Sequence, residues 1–193
     1  MYREYFKYVL EHKKNVFKTC WKRGLYLHAF THDLSKFLPS EFIPYAKWFY
    51  GENGIKLKNI YRFNEIPVNR AEEVLHEKYN TCKQEFDKAW KHHYKKNKHH
   101  WNYWIGKRMP YKYIMQMICD WEAMSLKFGG TAQEYYMDNY DKIDLTVESR
   151  CELEFHLGLT GSEALCSNIT WKQLCDNWGI TMKEDLKRIG YIK

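Results

Sequence analysis

Several signatures are missing from this chain, and each absence removes a class of protein. No run approaches the ~20 apolar residues that a membrane-crossing helix needs. The opening Met1-Tyr2-Arg3-Glu4 starts no apolar signal segment. Six cysteines (Cys20, Cys82, Cys119, Cys151, Cys166, Cys175) are scattered without a C-x-x-C pair, which argues against a zinc knuckle and a secreted disulfide framework. Reduced thiols in a cytoplasm are the expected setting. There is no G-x-x-x-x-G-K loop for an NTP-driven motor or kinase, and no G-x-S-x-G elbow. No cysteine has a clear activating base. Strand alternation, internal repeats and low-complexity tracts are lacking too.

What remains is compact and aromatic. The length of 193 residues favours one domain, and 45% hydrophobic residues suffice for a sizeable core. Sixteen Tyr and eight Trp imply large amphipathic pocket walls as well as core. The net charge of +7 suits anionic partners such as nucleotides, nucleic acid or a phosphorylated metabolite. A charge of that size is also ordinary for a soluble protein.

Nearly every segment reads as helix. Tyr5, Phe6, Val9, Leu10, Val16, Phe17 and Cys20 fall on one face of a helix over roughly 2–22, closed by Gly24. A second helix is expected to carry His32-Asp33 to about Phe37. Pro39 starts a third through Phe49, bent at Pro44 and ended by Gly51 to Gly54. Residues 55–68 read as an irregular connection, and Asn69-x-x-Glu72 as a capping box for a long helix toward 97. Pro110 opens a helix to about 128, stopped by Gly129-Gly130. Thr131-x-x-Glu134 caps a short one, and another is expected over 147–158. Thr170-x-x-Gln173 and Thr181-x-x-Glu184 start two more, separated by Gly179. The expectation is an all-α domain over 1–159, with a helical extension over 160–193 that packs on the same core or helps form a homodimer.

His32-Asp33 is the most informative pair. On one helix, neighbouring residues lie about 100° apart, so both can reach a pocket off its shoulder. Leu27, Phe30, Leu34 and Phe37 around them read as a buried stripe. An enclosed imidazole and carboxylate need a partner, and a divalent metal ion is the natural one. A plain surface pair is the competing reading. Three further stretches carry ligand-type residues. His12 lies at the border of the first helix's apolar face, where a packing role competes. His93 and His100, seven apart, share a face if their helix continues, about 10 Å along its axis, too far for one ion. That separation suits contacts to a phosphate or to two metals, while His92 and Lys95 read as a solvated helix end. Asp120 sits in a mostly apolar helix but shares a strip with Gln116 and Lys127, so an exposed acid is a live alternative.

His12, His32-Asp33 and a distant Asp120 resemble the H…HD…D signature of the HD-domain metal-dependent phosphohydrolase superfamily. More closely, the chain resembles a small uncharacterised bacterial and phage family. The matching blocks are His32-Asp33-Leu34-Ser35-Lys36-Phe37, Glu41-Phe42, Ala89-Trp90, His93, Asn97-Lys98-His99-His100-Trp101 and Cys119-Asp120-Trp121, over roughly residues 5–145. The superfamily resemblance implies an HD-domain-like helical bundle with His12, His32, Asp33 and Asp120 as metal ligands. The His12–His32 interval is short for it, so His28, at i, i+4 from His32, is a competing ligand. Binuclear members add two histidines, for which His93 and His99 or His100 are the candidates.

The expected activity is metal-dependent hydrolysis of a phosphorylated small molecule, foremost a nucleotide. Mn, Fe, Co, Ni, Zn or Mg, one ion or two, would polarise the phosphoryl group and acidify bound water. Asp33 or Glu41 would accept the water's proton, and Lys36 would stabilise phosphate charge. His93, His99 and His100 would contact the substrate phosphate and Trp101 would stack on a base. A di-iron oxygenase is a minor variant. The rivals from other classes are a nucleic-acid-binding protein, supported by the basic run at 91–100 and the 170–190 helix pair, and a metal-stabilised interaction module without turnover. Met182 to Arg188 balances its charges, which weakens a helix-turn-helix reading.

Overall fold

The computed structural model describes residues 1–51 and 70–192, with side chains of the long fourth helix described from Glu73 onward. The irregular connection expected over 55–68 and the capping residue Asn69 lie outside the described residues. Among those described, the chain is all helical: α1 Tyr2–Lys22, α2 Tyr26–Thr31, α3 Pro39–Tyr50, α4 Arg70–Lys96, α5 Tyr111–Phe128, α6 Ala132–Asp138, α7 Val147–His156, α8 Ser162–Cys166, α9 Trp171–Trp178 and α10 Met182–Arg188. None of these is long and apolar enough to cross a membrane.

Residue contacts divide the chain into two compact units, 1–13 with 31–97, and 14–30 with 98–193. The boundary does not follow the 1–159 and 160–193 division expected from the sequence, and residues 160–192 fall within the second unit.

In the first unit α3 packs along α4. Tyr5, Val9, Tyr45, Ala46 and Ala89 form its core, with Phe42, Phe86 and Trp90 packed against it. The rings of Tyr45 and Phe86 are 5.1 Å apart, and those of Trp48 and Phe86 stack at 5.3 Å. Aromatic pairs at these separations add to the area they bury. Pro39 begins α3, where its missing N–H costs nothing. Pro44 removes one donor from the helix interior.

The second unit is built around α5. Pro110 sets an extended backbone before it, and Gly129, at φ 81°, ends it in a conformation that L side chains resist. Ile114, Met115, Met117, Ile118 and Trp121 join Tyr136, Leu153, Trp171 and Leu186 in one apolar cluster. Val16, Cys20, Ala29, Cys119 and Ala123 form another, stitched by Thr19, whose hydroxyl donates to the Cys119 carbonyl at 2.9 Å. Thr170 and Thr181 both make the expected capping boxes, with Gln173 and Glu184. Trp171 fixes the C-terminal helices: its indole N–H donates to Asp185 at 2.7 Å, and its backbone N–H to Glu154 at 2.6 Å.

Two expectations about His32-Asp33 are corrected. The pair does not ride on a helix: α2 ends at Thr31, His32 and Asp33 form a turn, and a 3₁₀ turn follows over Leu34–Phe37. Asp33 adopts the left-handed conformation at φ 53°, ψ 29°, which Asp tolerates better than most residues. The neighbouring apolar stripe is not buried either. Leu27, Phe30 and Leu34 are exposed, at 79%, 59% and 51%, while His32 and Asp33 are enclosed at 1% and 3%.

Candidate metal centre

The first unit gathers four ligand-type side chains from three places in the chain. His12 lies on α1 in line with Tyr5 and Val9, one turn after another on the same face, and is buried rather than bordering. His32 and Asp33 come from the turn after α2, and His93 from the last turns of α4. His12 Nε2 and His32 Nε2 are 3.2 Å apart, and His32 Nε2 is 3.2 Å from Asp33 Oδ2. His93 Nε2 lies 3.3 Å from Asp33 Oδ1.

That spacing carries chemical meaning. With metal–ligand bonds of about 2.1 Å, neighbouring ligand atoms in tetrahedral or octahedral sites sit about 3.0–3.4 Å apart. The three measured separations match it. The ligand atoms of His12, His32 and Asp33 all lie within 4.8 Å of one another. A His/Asp cluster of this kind can hold a metal ion, and nitrogen-rich sets with a carboxylate suit Mn, Fe, Co, Ni or Zn better than Ca.

A hydrogen-bonded shell orients these groups. Glu41 is fully buried, and its Oε2 accepts from His93 Nδ1–H at 2.8 Å and from the Ser35 hydroxyl at 2.8 Å. Its Oε1 accepts from His92 Nδ1–H at 2.7 Å. Asn97 donates to Ser35 Oγ at 2.8 Å and extends the shell. Lys13 donates to the His32 carbonyl at 3.0 Å and pins the turn. With Nδ1–H committed to Glu41, His93 presents an Nε2 lone pair toward Asp33, as metal-ligating histidines commonly do.

Charge follows the same geometry. Burial pushes the Asp33 carboxyl up, but His32, the Lys36 ammonium at 2.6 Å and His93 outweigh it and hold it well below the usual carboxylate range. Burial likewise opposes ionisation of Glu41, yet the hydrogen bond and charge of His93, with Ser35 and His92, hold it low. His93 is shifted up: burial disfavours its cation, and Asp33 and Glu41 more than compensate.

His12, His32 and Asp33 come together in the first unit, whereas Asp120 belongs to the second. His93, expected on the substrate, lies between Asp33 and Glu41. Glu41, expected as a proton acceptor, is enclosed with both oxygens engaged, which suits orientation. Lys36 stands beside Asp33. Ser35 and Asn97 gained no role from sequence reasoning, although both lie in the quoted motifs, and His92 reaches Glu41 from a partly exposed position.

In the second unit Asp120 is buried, which settles the question left by its helical periodicity. Its Oδ2 is 3.9 Å from His99 Nε2. The rings of His99 and His100 are 4.1 Å apart, and those of His28 and His99 are 5.2 Å apart. His28, the competing ligand, thus lies against His99, and ligand atoms of His99, His100 and Asp120 lie within 4.8 Å of one another. Trp101 begins a 3₁₀ turn and packs against the apolar core of this unit.

Comparison with known proteins places residues 1–157 under a family model described as "Family of unknown function (DUF5662)". No curated protein matches the chain. No solved structure matches it either.

Proposed function

Because the chain belongs to the DUF5662 family, whose function is unknown, its activity has to be argued from its own residues, and we propose that it is a divalent-metal-dependent phosphohydrolase of the HD type. The observation that carries this reading is the convergence of His12, His32 and Asp33, whose ligand atoms lie within 4.8 Å of one another in a buried setting, with His93 Nε2 3.3 Å from the other Asp33 oxygen. The substrate class proposed is a nucleotide or a related phosphorylated small molecule, in keeping with the net charge of +7.

A bound ion would supply Lewis-acid polarisation of a phosphoryl oxygen and acidify a water molecule. The protein's own groups do the rest. His12, His32 and Asp33 would hold the ion, with His93 against the second Asp33 oxygen. Glu41 keeps His93 in the tautomer whose Nε2 is free to ligate, and Ser35 and Asn97 keep Glu41 in place. Asp33 stays ionised, so it accepts a hydrogen bond from the attacking water and orients it. Lys36 sets a positive charge 2.6 Å from Asp33, where it can offset charge gathering on the phosphoryl oxygens.

The direct test is hydrolysis of a panel of nucleotides and phosphorylated metabolites by purified protein loaded with Mn²⁺ or Co²⁺. Activity that a chelator abolishes and that Asp33→Ala eliminates is expected. Full activity in Asp33→Ala would overturn the assignment.

A further inference from the structure

We propose that the segment Lys14–Phe30 is a docking surface for a bilayer rich in anionic lipid, which it meets from outside without crossing. The segment lies within the second unit and holds none of the residues on which the phosphohydrolase reading rests. Its outer face is aromatic: α1 contributes Phe17 and Trp21, one turn apart, and α2 contributes Tyr26, Leu27 and Phe30. Phe17 and Trp21 stack at 5.2 Å, Phe30 meets Phe17 edge-on at 5.2 Å, and Tyr26 meets Trp21 edge-on at 4.6 Å. These contacts make one continuous patch rather than scattered side chains. Trp21, Tyr26, Leu27 and Phe30 are nonetheless exposed, and Leu27 is the most exposed large apolar side chain among the described residues. Contiguous apolar surface left facing water marks an interaction site.

A row of cations runs beside the patch. Lys14, Lys18 and Lys22 recur every four residues along α1, next to the Phe17–Trp21 pair, and all three are exposed. Between Glu11 and Asp33 the sequence carries Lys13, Lys14, Lys18, Lys22 and Arg23 and no acidic residue. Arg23 is ion-paired with Glu122, and Lys13 donates to the His32 carbonyl. The three lysines are therefore the charges that the surface presents to a partner, and the partner they complement is anionic.

Three occupants compete, and the geometry separates them. A second copy of the chain would bring the same unbalanced lysines to both sides of the interface, which opposes association. Single-stranded nucleic acid stacks its bases on open aromatic faces. Here Phe17 and Trp21 each give a face to the other, and the protruding Leu27 has no ring to offer. An anionic bilayer uses every part of the surface. Trp21 and Tyr26 suit headgroup depth, Leu27 and Phe30 enter the acyl boundary, and the lysines meet the lipid charge.

Cosedimentation of the full chain with vesicles tests the proposal. Binding to equimolar phosphatidylcholine–phosphatidylserine vesicles, and not to phosphatidylcholine alone, is expected. Each lysine at an anionic surface is worth about five-fold in affinity, so Lys14→Gln, Lys18→Gln and Lys22→Gln combined should weaken binding about a hundred-fold. Leu27→Asp should weaken it at least about ten-fold, because it removes a side chain that enters the bilayer. No binding to the mixed vesicles overturns the proposal, as does wild-type affinity in either variant. A single-stranded oligonucleotide bound more tightly than the vesicles, through the same lysines, would assign the surface to nucleic acid and overturn it too. If the lysine variant does not fold, as judged by circular dichroism, salt decides on the wild-type protein. Binding that high salt releases supports the lysine contacts, and binding indifferent to salt overturns them. The readout involves no catalysis, so the phosphohydrolase reading stands or falls separately.

Discussion

His93 gives its Nδ1–H to Glu41 Oε2 at 2.8 Å and turns its Nε2 toward Asp33. A buried carboxylate thus decides which ring nitrogen is available for coordination. Removing it should weaken metal binding without touching a ligand. Glu41→Gln is expected to lower Co²⁺ affinity by roughly ten- to a hundred-fold, measured by titration of the visible Co²⁺ absorption. Wild-type affinity in this variant would show that Glu41 only fills space.

Asp33 makes a backbone prediction as well as a chemical one. Its φ of 53° suits Gly and burdens a Cβ. In chelator-treated protein, Asp33→Gly should therefore be more stable than Asp33→Ala by about 1 kcal/mol, although both lose the carboxylate. Urea denaturation of the two variants gives the comparison. An alanine variant as stable as the glycine one would contradict it.

Glu154 predicts a pH dependence inside the second unit. Burial raises its pKa from 4.5 to about 7, against the opposing hydrogen bonds from Tyr136 and the Trp171 backbone and the charge of Arg150. The folded state then holds this proton more tightly than the unfolded state. Its contribution is fully present below about pH 4.5 and is lost as pH rises through about 7, a loss of the order of 3 kcal/mol. Glu154→Gln should flatten that component of the stability profile. Parallel urea curves for wild type and variant between pH 5 and pH 8 would count against the shift.

Trp171 ties the C-terminal helices to the core of the second unit. It is 1% exposed and bonded to Asp185 and Glu154. Trp171→Ala should cost about 3–5 kcal/mol by cavity formation, read as a lowered midpoint in chemical denaturation. A loss below about 1 kcal/mol would mean that the site collapses freely.

Much of the fold was legible because its signals are local. Pro39, Pro110, Gly129, Gly179 and the Thr-x-x-Glu/Gln boxes act on their own few residues, so the helix ends they imply reappear in the structure. The failures occurred where local and tertiary forces compete. Periodicity read Leu27, Phe30 and Leu34 as core, yet they are exposed, because the chain leaves the helix at His32 and the face they share loses its meaning. The short helix Ser162–Cys166 carried no strong cap and was not anticipated.

The sequence by itself determined the all-helical character, most helix ends, and the roster of residues with ligand chemistry, His32-Asp33 foremost. Composition and short-range capping suffice for those. The tertiary structure decided their grouping: His93 beside Asp33, Glu41 behind His93, Asp120 with His99 and His100. It also decided that His32 and Asp33 are buried, in a turn with Asp33 in the left-handed conformation. Those outcomes depend on contacts between residues far apart in the chain, such as Glu41 and His93, 52 positions apart. No helical period encodes such contacts, because side-chain proximity across elements arises only once the helices have packed.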